Sequence, residues 1–496
     1  MSRPAILLRP NSQKTIVLDK PAIDPLELTF RDPAGQLQLT ESLALRRINP
    51  AAEAETRAFL VSPLCATLET SGDLIPTEIA EFGSHPSIAP GELWLQHPRI
   101  DPISYPWEWS TTQWRSAAEL TLRLASQAID AGWTLKDATP LNILFVGARP
   151  VLVDVLSFER RDPSSTVWLA YGQFVRTFLL PLVAEKFLGW PLQATLLSRD
   201  GYEPSTLYRA LQPWQRLNPN LLDVVTLATL FEGKGGKQQK SPPAQPSSTN
   251  PELAAHILHK RIARLGKQIR RVSRSESRSA WSQYTQTASH YATADTEAKQ
   301  RFLSSVLERC RPERVLDIGA NTGTYSRMAA DAGAQVVALD SDTAAIDALW
   351  QTAAKQGEAV TALVANIARP TPAVGWRNRE QLSLLDRLSG KFDLVLMLAV
   401  IHHLILREQL PLAHIGDLCA SLTHRWLVLE WVPPSDPMYQ EWLRGRDDLY
   451  GSLSEDDLRH AFAPFFDVVD RTVLGNNRVL LLLERNGEPN SGAERT

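Results

Sequence analysis

The sequence predicts an α/β protein whose two halves are joined by a polar linker. Two observations predict the fold class: apolar strands alternate with helical stretches from Arg314 to Glu484, and the first of these strands runs into a glycine-containing turn. A third observation divides the chain, since Gly233 to Asn250 is rich in Gly, Pro and Ser and offers no apolar anchor. With 496 residues, the chain has room for two or three domains.

Bulk composition excludes several classes of protein. The chain is 44% hydrophobic and 22% charged with a net charge of −3, so its charge gives no reason to expect a nucleic-acid partner. Its 3 cysteines are too few and too far apart for a disulfide scaffold or a cysteine zinc site. The N-terminus has too short an apolar stretch for a signal peptide, and no run reaches the length of a membrane span. We expect a cytoplasmic protein, and the sequence leaves its oligomeric state open.

The N-terminal half contains a constellation of polar residues around a predicted hairpin. Asp137 and Asn142 stand in a D-x-x-x-x-N relation, and Asp154 follows at the end of a short apolar strand. A long helix is predicted before them, from Thr112 to Ala131, and a strand from Ser42 to Ile48. Asp and Asn are also common in turns, so a purely structural role stays open.

The spacing of these three residues resembles the catalytic loop of aminoglycoside-phosphotransferase-like kinases. The resemblance implies that Asp137 accepts a substrate proton, while Asn142 and Asp154 hold Mg²⁺ against the phosphates of ATP. Residues 1–232 are therefore expected to form an α+β kinase-like domain. Mg²⁺ and ATP are expected as ligands only if that domain is active.

The chain also departs from the kinase pattern. No glycine-rich phosphate loop precedes the hairpin, and Leu135 with Lys136 replaces the usual His-x before the catalytic Asp. Arg46 and Arg47 occupy the strand where a phosphate-pairing Lys is expected, and Arg does not replace Lys equivalently. The expected arginine partner is one of two acids on the next predicted helix, Glu53 or Glu55. These departures predict a domain that is weak or inactive as a kinase.

The linker leads into a basic helix, and together they are assigned to residues 233–280. The helix is predicted from Pro251 to Arg274, with apolar residues on one stripe and Lys and Arg on the other face. That face is either a surface for anionic lipid or nucleic acid, or a solvated face that bridges the domains. The near-neutral charge of the whole chain favours the second interpretation.

A third domain is predicted over residues 281–496. Trp281, Tyr284 and Tyr291 precede a helix from Asp295 to Leu307, and these aromatic side chains either cover a ligand or pack against the sheet. The strands that follow are predicted at 314–318, 335–339, 361–364, 392–398, 426–431, 465–469 and 478–484.

The turn after the first of these strands has a charge that separates two classes of ligand. Its glycines are Gly319 and Gly323, in G-x-x-x-G spacing, with Asp317 close before them. A carboxylate there would repel a pyrophosphate but suits the ammonium and sulfonium of S-adenosylmethionine. Asp340 ends the second strand about twenty residues beyond the first glycine, where an acid holds ribose hydroxyls in nucleoside-binding units.

These motifs resemble those of class I S-adenosylmethionine-dependent methyltransferases, over about the last 220 residues. The resemblance implies a Rossmann-like seven-stranded sheet and S-adenosylmethionine as cofactor. It implies that Asp317, Gly319 and Gly323 cradle the methionine part, that Asp340 binds the ribose, and that Asn366 contacts the adenine side. Asn321 stands where many members have glycine, and a small polar residue is tolerated in such a turn.

Candidate catalytic residues follow the later strands, at the edge of the sheet where ligands bind. His402 or His403 is a candidate base for the acceptor proton, and Glu430 is a second candidate. The histidines alternatively pack or cap a helix. A metal site is not expected, because the two histidines are adjacent and have no evident Asp or Cys companions.

A narrower resemblance spans nearly the whole chain. Ile103 to Ser110, Glu430 to Met438 and Arg444 to Asp448 are similar to bacterial two-part methyltransferases, some of them nodulation-protein-like. We therefore expect methyl transfer to a small molecule or glycan, with a kinase-like accessory domain. The alternatives are a bifunctional phosphotransferase and methyltransferase, or a catalytically silent S-adenosylmethionine-binding protein.

Overall fold

The strands of the computed structural model, which describes residues 32–232, 247–273, 293–443, 453–475 and 477–487, form sheets of seven, four, two and two strands. The predicted linker residues 233–246 lie outside the described residues, as do Trp281, Tyr284, Tyr291 and the segment 444–450. Within the described part of the chain, no helix is both long enough and apolar enough to cross a membrane.

The seven-stranded sheet lies in the C-terminal half. Its order is β11-β10-β9-β12-β13-β15-β14, and only β15 runs antiparallel to its neighbours. The order of the strands reverses between β9 and β12, which creates a crevice at their carboxyl ends where α/β sheets bind ligands. The strands are β9 (Arg314–Ile318), β10 (Gln335–Asp340), β11 (Val360–Val364), β12 (Phe392–Met397), β13 (Thr423–Trp431), β14 (Phe466–Val473) and β15 (Val479–Arg485). The predicted α/β class and seven-stranded sheet are confirmed.

The N-terminal half contains a four-stranded antiparallel sheet of order β1-β2-β4-β3, and two small hairpin-like pairs, β5-β8 and β6-β7. Its strands are β1 (Gly35–Leu39), β2 (Leu43–Ile48), β3 (Glu78–Ile79), β4 (Leu93–Pro98), β5 (Trp133–Leu135), β6 (Ile143–Val146), β7 (Arg149–Leu152) and β8 (Phe158–Arg160). The helices up to the second gap are α1 (Pro50–Leu60), α2 (Pro63–Ser71), α3 (Thr111–Asp130), α4 (Tyr171–Phe174), α5 (Leu180–Leu188), α6 (Pro204–Ala210), α7 (Ala228–Glu232) and α8 (Pro251–Val272).

The C-terminal sheet is covered by helices on both faces. Side chains of alternate strand residues point to opposite sides, so each face of the sheet packs into its own apolar cluster. On β12, Leu394 and Leu396 enter one apolar cluster, while Val395 and Met397 enter another. The first cluster continues without a break into the N-terminal half. The helices of this half are α9 (Thr293–Cys310), α10 (Thr324–Asp331), α11 (Thr343–Gln356), α12 (Leu384–Leu388), α13 (Ile401–Leu406), α14 (Leu412–Leu422), α15 (Pro437–Leu443) and α16 (Glu455–Phe462).

The basic helix α8 packs its apolar stripe against α3, and side chains of its exposed basic face pair with acids of the N-terminal half. Arg264 pairs with Asp223 at 2.8 Å, and His259 contacts Asp130 at 2.8 Å. Arg270 also lies 3.3 Å from Glu119. These contacts favour the structural interpretation of the basic face over a lipid or nucleic-acid surface. They also show α8 lying on the N-terminal half rather than between the two halves.

The two halves meet along the segment that leads into α3. The Thr112 backbone N–H and hydroxyl both donate to the Asp347 carboxylate on α11, at 2.9 and 2.8 Å. Gln113, which closes the N-terminal capping box of α3, donates its side-chain N–H to the Ala362 carbonyl on β11 at 2.9 Å. Glu108 forms a buried ion pair with Arg387 of α12. Polar contacts and a continuous apolar core therefore join the halves.

Candidate functional site

At two positions, the turn between β9 and α10 has a backbone conformation that favours glycine. Gly319 and Gly323 have φ angles of +77° and +82°, in the left-handed region that disfavours other residues. A Cβ at Gly319 would lie 2.3 Å from Val400 Cγ2, and one at Gly323 would lie 2.1 Å from Leu349 Cδ1. The two glycines therefore allow the turn to pass close to the neighbouring elements at the carboxyl edge of the sheet.

Asp317 lies beneath this turn and is almost fully buried, with 2% of its surface exposed. The Ser326 hydroxyl donates to its carboxylate at 2.6 Å. Burial raises the pKa of Asp317 to about 6 even though the Ser326 hydrogen bond opposes the shift, and the nearby Asp340 charge raises it further. A cationic ligand group would stabilise the ionised carboxylate.

Asp340 fixes the loops on either side of it. Its two carboxylate oxygens accept the backbone N–H groups of Asn321 and Asp342, each at 2.8 Å. Burial raises the pKa of Asp340, against the effect of these hydrogen bonds. The carbonyl of the same residue accepts the N–H of Ala365, so the loop that carries Asn366 lies beside it. The three predicted cofactor positions Asp317, Asp340 and Asn366 thus lie at the carboxyl ends of the neighbouring strands β9, β10 and β11.

These residues fit S-adenosylmethionine. Asn321 adopts a positive φ of +49°, as expected for the position it takes from glycine, and its buried side-chain oxygen has no hydrogen-bond partner among the described residues. A buried acceptor without a partner is costly unless a ligand or water supplies a donor. The loop therefore combines a close backbone, two acids and an unsatisfied acceptor around one crevice.

Glu430 ends β13 at the same edge and is completely buried. One of its oxygens, Oε1, accepts from Lys299 Nζ at 2.7 Å and from an Arg478 N–H at 3.2 Å. Arg478 also pairs with Asp436 at 2.7 Å. The other oxygen, Glu430 Oε2, has no partner in the described part of the chain. Two cations therefore hold Glu430 through Oε1, while Oε2 is buried without a hydrogen-bond partner among the described residues.

His402 and His403 begin α13, with ring centroids 4.2 Å apart. Burial, followed by the charges of His403 and Arg478, lowers the pKa of His402 well below its ordinary value. Burial likewise lowers the pKa of His403 to about 4, so both rings are neutral at neutral pH. The buried His402 Nδ1 lacks a hydrogen-bond partner among the residues described.

The acceptor side and the cofactor loop are linked through Tyr325 and Val400. Burial raises the pKa of Tyr325, and the Glu430 and Asp317 carboxylates raise it further, so both charges lie near the phenol. Val400, directly before α13, contacts the Gly319 position. Lys299 and Arg478 were not found by sequence reasoning, because they come from α9 and the start of β15 and no local pattern marks them.

The three N-terminal polar residues also lie close together, but their environment is different. Asp154 accepts from Arg46 at 2.5 Å, from the Ser157 hydroxyl at 2.5 Å and from Asn142 Nδ2 at 3.4 Å. Although burial pushes the pKa of Asp154 upward, Arg46 and Ser157 outweigh it and hold the pKa below its ordinary value. Burial and the Asp154 charge raise the pKa of Asp137.

The predicted partner of the β2 arginines was wrong. Arg46 pairs with Asp154 and with Asp32, while Arg47 pairs with Glu92 at 3.3 Å. The two expected acids are engaged elsewhere: Glu53 pairs with Arg57 on its own helix, and Glu55 accepts the backbone N–H of Arg160.

No group of three or more His, Cys, Asp or Glu side chains is placed to hold a metal ion among the described residues. A surface cleft of about 880 Å³ lies at the opposite edge of the sheet, between α9 and the start of β9. Ser304, Arg311 and Gln335 are among its lining residues, and none of the candidate site residues borders it.

Comparison with known proteins identifies the C-terminal half. Residues 316–421 match a methyltransferase domain family. The whole chain is 27% identical over 465 residues to nodulation protein NoeA of Rhizobium meliloti (strain 1021), covering 92% of this chain and 95% of NoeA. Two solved structures are also similar to part of the chain. Magnesium protoporphyrin IX methyltransferase (ChlM) from Synechocystis PCC 6803 with bound S-adenosylmethionine is 18% identical with a TM-score of 0.29, covering 43% of this chain and 100% of ChlM. The bifunctional kinase-methyltransferase WbdD is 23% identical with a TM-score of 0.27, covering 36% of each chain.

Proposed function

Because the C-terminal half is an S-adenosylmethionine-dependent methyltransferase domain, we propose that the chain methylates a hydroxyl or amine of a small molecule or glycan. The observation that carries this proposal is a pair of buried polar atoms without partners among the described residues, Glu430 Oε2 and His402 Nδ1, near the loop that contains Asp317. Such atoms favour a ligand that brings its own hydrogen-bond donor. An acceptor hydroxyl or amine supplies one.

We assign the cofactor contacts to the residues that shape the crevice. Asp317 would face the ammonium of the methionine part, Asp340 the ribose hydroxyls and Asn366 the adenine side. The cofactor supplies an electrophilic methyl carbon on sulfur. Gly319 and Gly323 let the turn pack closely against Val400 and Leu349 at the edge of the crevice, and the buried walls exclude water from the reacting atoms.

The Glu430 and His402 side chains orient the methyl acceptor and remove its proton. Lys299 and Arg478 both bind Glu430 Oε1, which fixes the direction of Oε2. Neutral His402 offers a lone pair in the same region. We propose Glu430 as the hydrogen-bond acceptor for the substrate, with His402 or His403 as the second candidate base.

The N-terminal half is proposed to be kinase-like in shape and to serve as an accessory domain. It contacts elements next to the cofactor residues: Thr112 binds Asp347 on α11, the helix after Asp340, and Gln113 binds Ala362 on β11, four residues before Asn366. It therefore braces the ribose and adenine side. The resemblance to two-part bacterial methyltransferases, together with the match to a nodulation protein, favours a cell-surface or signalling glycan as acceptor. The absent glycine-rich loop disfavours the bifunctional alternative, and the intact acids at Asp317 and Asp340 disfavour the silent one.

A metabolite comparison tests the proposal. Extracts of a deletion strain and of the same strain complemented with the wild-type chain should differ in a compound by the mass of one methylene group. Complementation with Glu430→Gln should not restore the methylated compound, while the exposed variant Asp467→Asn should restore it fully. Restoration by Glu430→Gln at the wild-type level would remove Glu430 from the reaction. The absence of any methylated compound would contradict the proposed activity.

A further inference from the structure

An arginine of the chain bridges two acids of the N-terminal half, Asp32 and Asp154. Arg46 extends from β2 and is 13% exposed. One of its terminal nitrogens binds Asp154 at 2.5 Å, and the other binds Asp32. These contacts join the four-stranded sheet to the hairpin side of the half, across 108 residues of sequence.

The remaining hydrogen-bonding capacity of Asp154 is also occupied. Its Oδ1 accepts the Leu156 N–H at 3.2 Å in addition to Arg46. Its Oδ2 accepts the Ser157 hydroxyl and the Asn142 side-chain N–H. A carboxylate that binds Mg²⁺ must present oxygen lone pairs to the ion. Both oxygens of Asp154 are instead directed at protein donors.

The segment before β1 fills the space above Arg46. Asp32 Oδ1 accepts the Ala34 N–H at 2.8 Å and so closes a tight turn, while its Oδ2 holds Arg46. A Cβ at Gly35 would lie 2.5 Å from the Arg47 carbonyl oxygen and 3.4 Å from Arg46 Nε. The turn therefore lies directly on the guanidinium.

We infer that the Arg46 guanidinium takes the place of a divalent cation between Asp32 and Asp154, so that the N-terminal half is held closed without metal or nucleotide. Mg²⁺ and ATP do not fit the residues as they are arranged. The planar guanidinium has several N–H donors and bridges two carboxylates, as a bound cation would. Unlike a bound ion, it is part of the chain, so the contact between the two acids needs no ligand from solution.

Chemical rescue by a divalent cation tests this inference, and the readout is thermal stability of the full chain rather than methyl transfer. Arg46→Ala should lower the Tm by roughly 3–8 °C, because Asp154 and Asp32 lose their cation. Millimolar MgCl₂ or MnCl₂ should recover about half of that loss, since binding to the folded state raises its stability. The double variant Arg46→Ala/Asp154→Asn should not respond to metal. Arg47→Ala, whose partner Glu92 is at the surface, serves as the matched control and should also be insensitive.

Two outcomes would overturn the inference. One is a folded Arg46→Ala variant whose stability does not change with metal, because the acids would then not form a cation site. The other is a wild-type chain that binds Mn²⁺, measured by the paramagnetic relaxation of water protons, and loses that binding in Asp154→Asn. The wild-type measurement decides the matter even if Arg46→Ala does not fold. Either outcome leaves the proposed methyl transfer unaffected.

Discussion

Two acidic sites in this protein contain similar residues and are in opposite states. At the carboxyl edge of the C-terminal sheet, Glu430 is completely buried and one of its oxygens has no partner among the described residues. In the N-terminal half, both oxygens of Asp154 are saturated by donors of the chain. Both sites contain buried acids and Arg. The comparison shows that buried atoms left without a hydrogen-bond partner, more than the residue types present, distinguish a ligand site from a structural one.

The energetics of the two sites support this distinction. An unsatisfied buried acceptor costs about 1–3 kcal/mol, which a ligand with a suitable donor recovers. The C-terminal site therefore keeps part of its stabilisation for the bound state. The Arg46 cluster is already satisfied in the free protein, and a ligand there would have to displace an existing ion pair.

The largest effect is expected from adding a side chain at a glycine of the cofactor loop. Gly323→Ala should weaken S-adenosylmethionine binding by roughly a hundredfold or more and reduce the free energy of unfolding by about 2–4 kcal/mol. The alanine would have to adopt a left-handed backbone conformation, and its Cβ would collide with Leu349. Gly333→Ala is the matched control, because its φ is +97° but no atom lies within 4 Å of the added Cβ. It should cost about 1–2 kcal/mol of stability and leave cofactor affinity unchanged. Calorimetric titration and urea unfolding measure both, and equal binding losses in the two variants would contradict the prediction.

The ribose acid is expected to contribute less. Asp340→Ala should reduce S-adenosylmethionine affinity about ten- to hundredfold, because a hydrogen-bonded carboxylate contact is worth about 1.5–3 kcal/mol. Isothermal calorimetry on the full chain measures the loss, with the exposed Asp467→Ala as control. Unchanged affinity in Asp340→Ala would remove it from the ribose site and weaken the contrast between the two acid clusters.

Cofactor binding should depend on pH through Asp317. Burial raises the pKa of Asp317 above its ordinary value to about 6. The free protein therefore loses stability as pH rises from about 4 to about 6, because Asp317 ionises in the unfolded chain while the buried carboxyl stays protonated. A cationic ligand prefers the charged form, so its affinity should fall as pH drops below about 6, by about tenfold for one pH unit. Calorimetry across this range measures the slope. Asp317→Asn should bind weakly at every pH, and a wild-type affinity independent of pH would exclude the role of Asp317.

The smallest effect is expected at the polar linker before α8. Proteolysis should cut first between Gly233 and Asn250, yielding two folded fragments. The shared apolar core and the Glu108–Arg387 pair should keep these fragments together on size exclusion. Cofactor affinity of the nicked protein should stay within about twofold of the intact chain, because sites far from the cut are independent of it. First cleavage within Leu135 to Phe158 would show that the boundary is misplaced.

Sequence reasoning succeeded where the determinants are local. The strand Arg314–Ile318, the glycine turn and Asp340 lie within one βαβ unit, so their spacing carries the backbone geometry and the charge preference together. The S-adenosylmethionine cofactor and the methyltransferase domain followed from that unit and are confirmed. The roles of the individual site residues stay predictions.

Sequence reasoning failed where partners come from distant elements. Lys299 reaches Glu430 from α9, and Arg46 reaches Asp154 from the four-stranded sheet. No local periodicity encodes these contacts. Glu53 was expected to bind an arginine of β2 because a kinase pattern places an acid there. In the folded chain its own helix supplies a closer arginine, Arg57, one turn away.

The most direct test of the contrast between the two sites is a pair of titrations on one preparation of the full chain. S-adenosylmethionine and, separately, Mg²⁺ with ATP are added, and binding is followed by calorimetry and thermal shift, with Asp154→Ala as a second protein. We predict that S-adenosylmethionine binds with one site per chain and raises the Tm, and that ATP with Mg²⁺ produces no shift in either protein. A large ATP-dependent shift that is lost in Asp154→Ala and accompanied by ATP turnover would contradict the closed N-terminal site. Failure of S-adenosylmethionine to bind would contradict the C-terminal one.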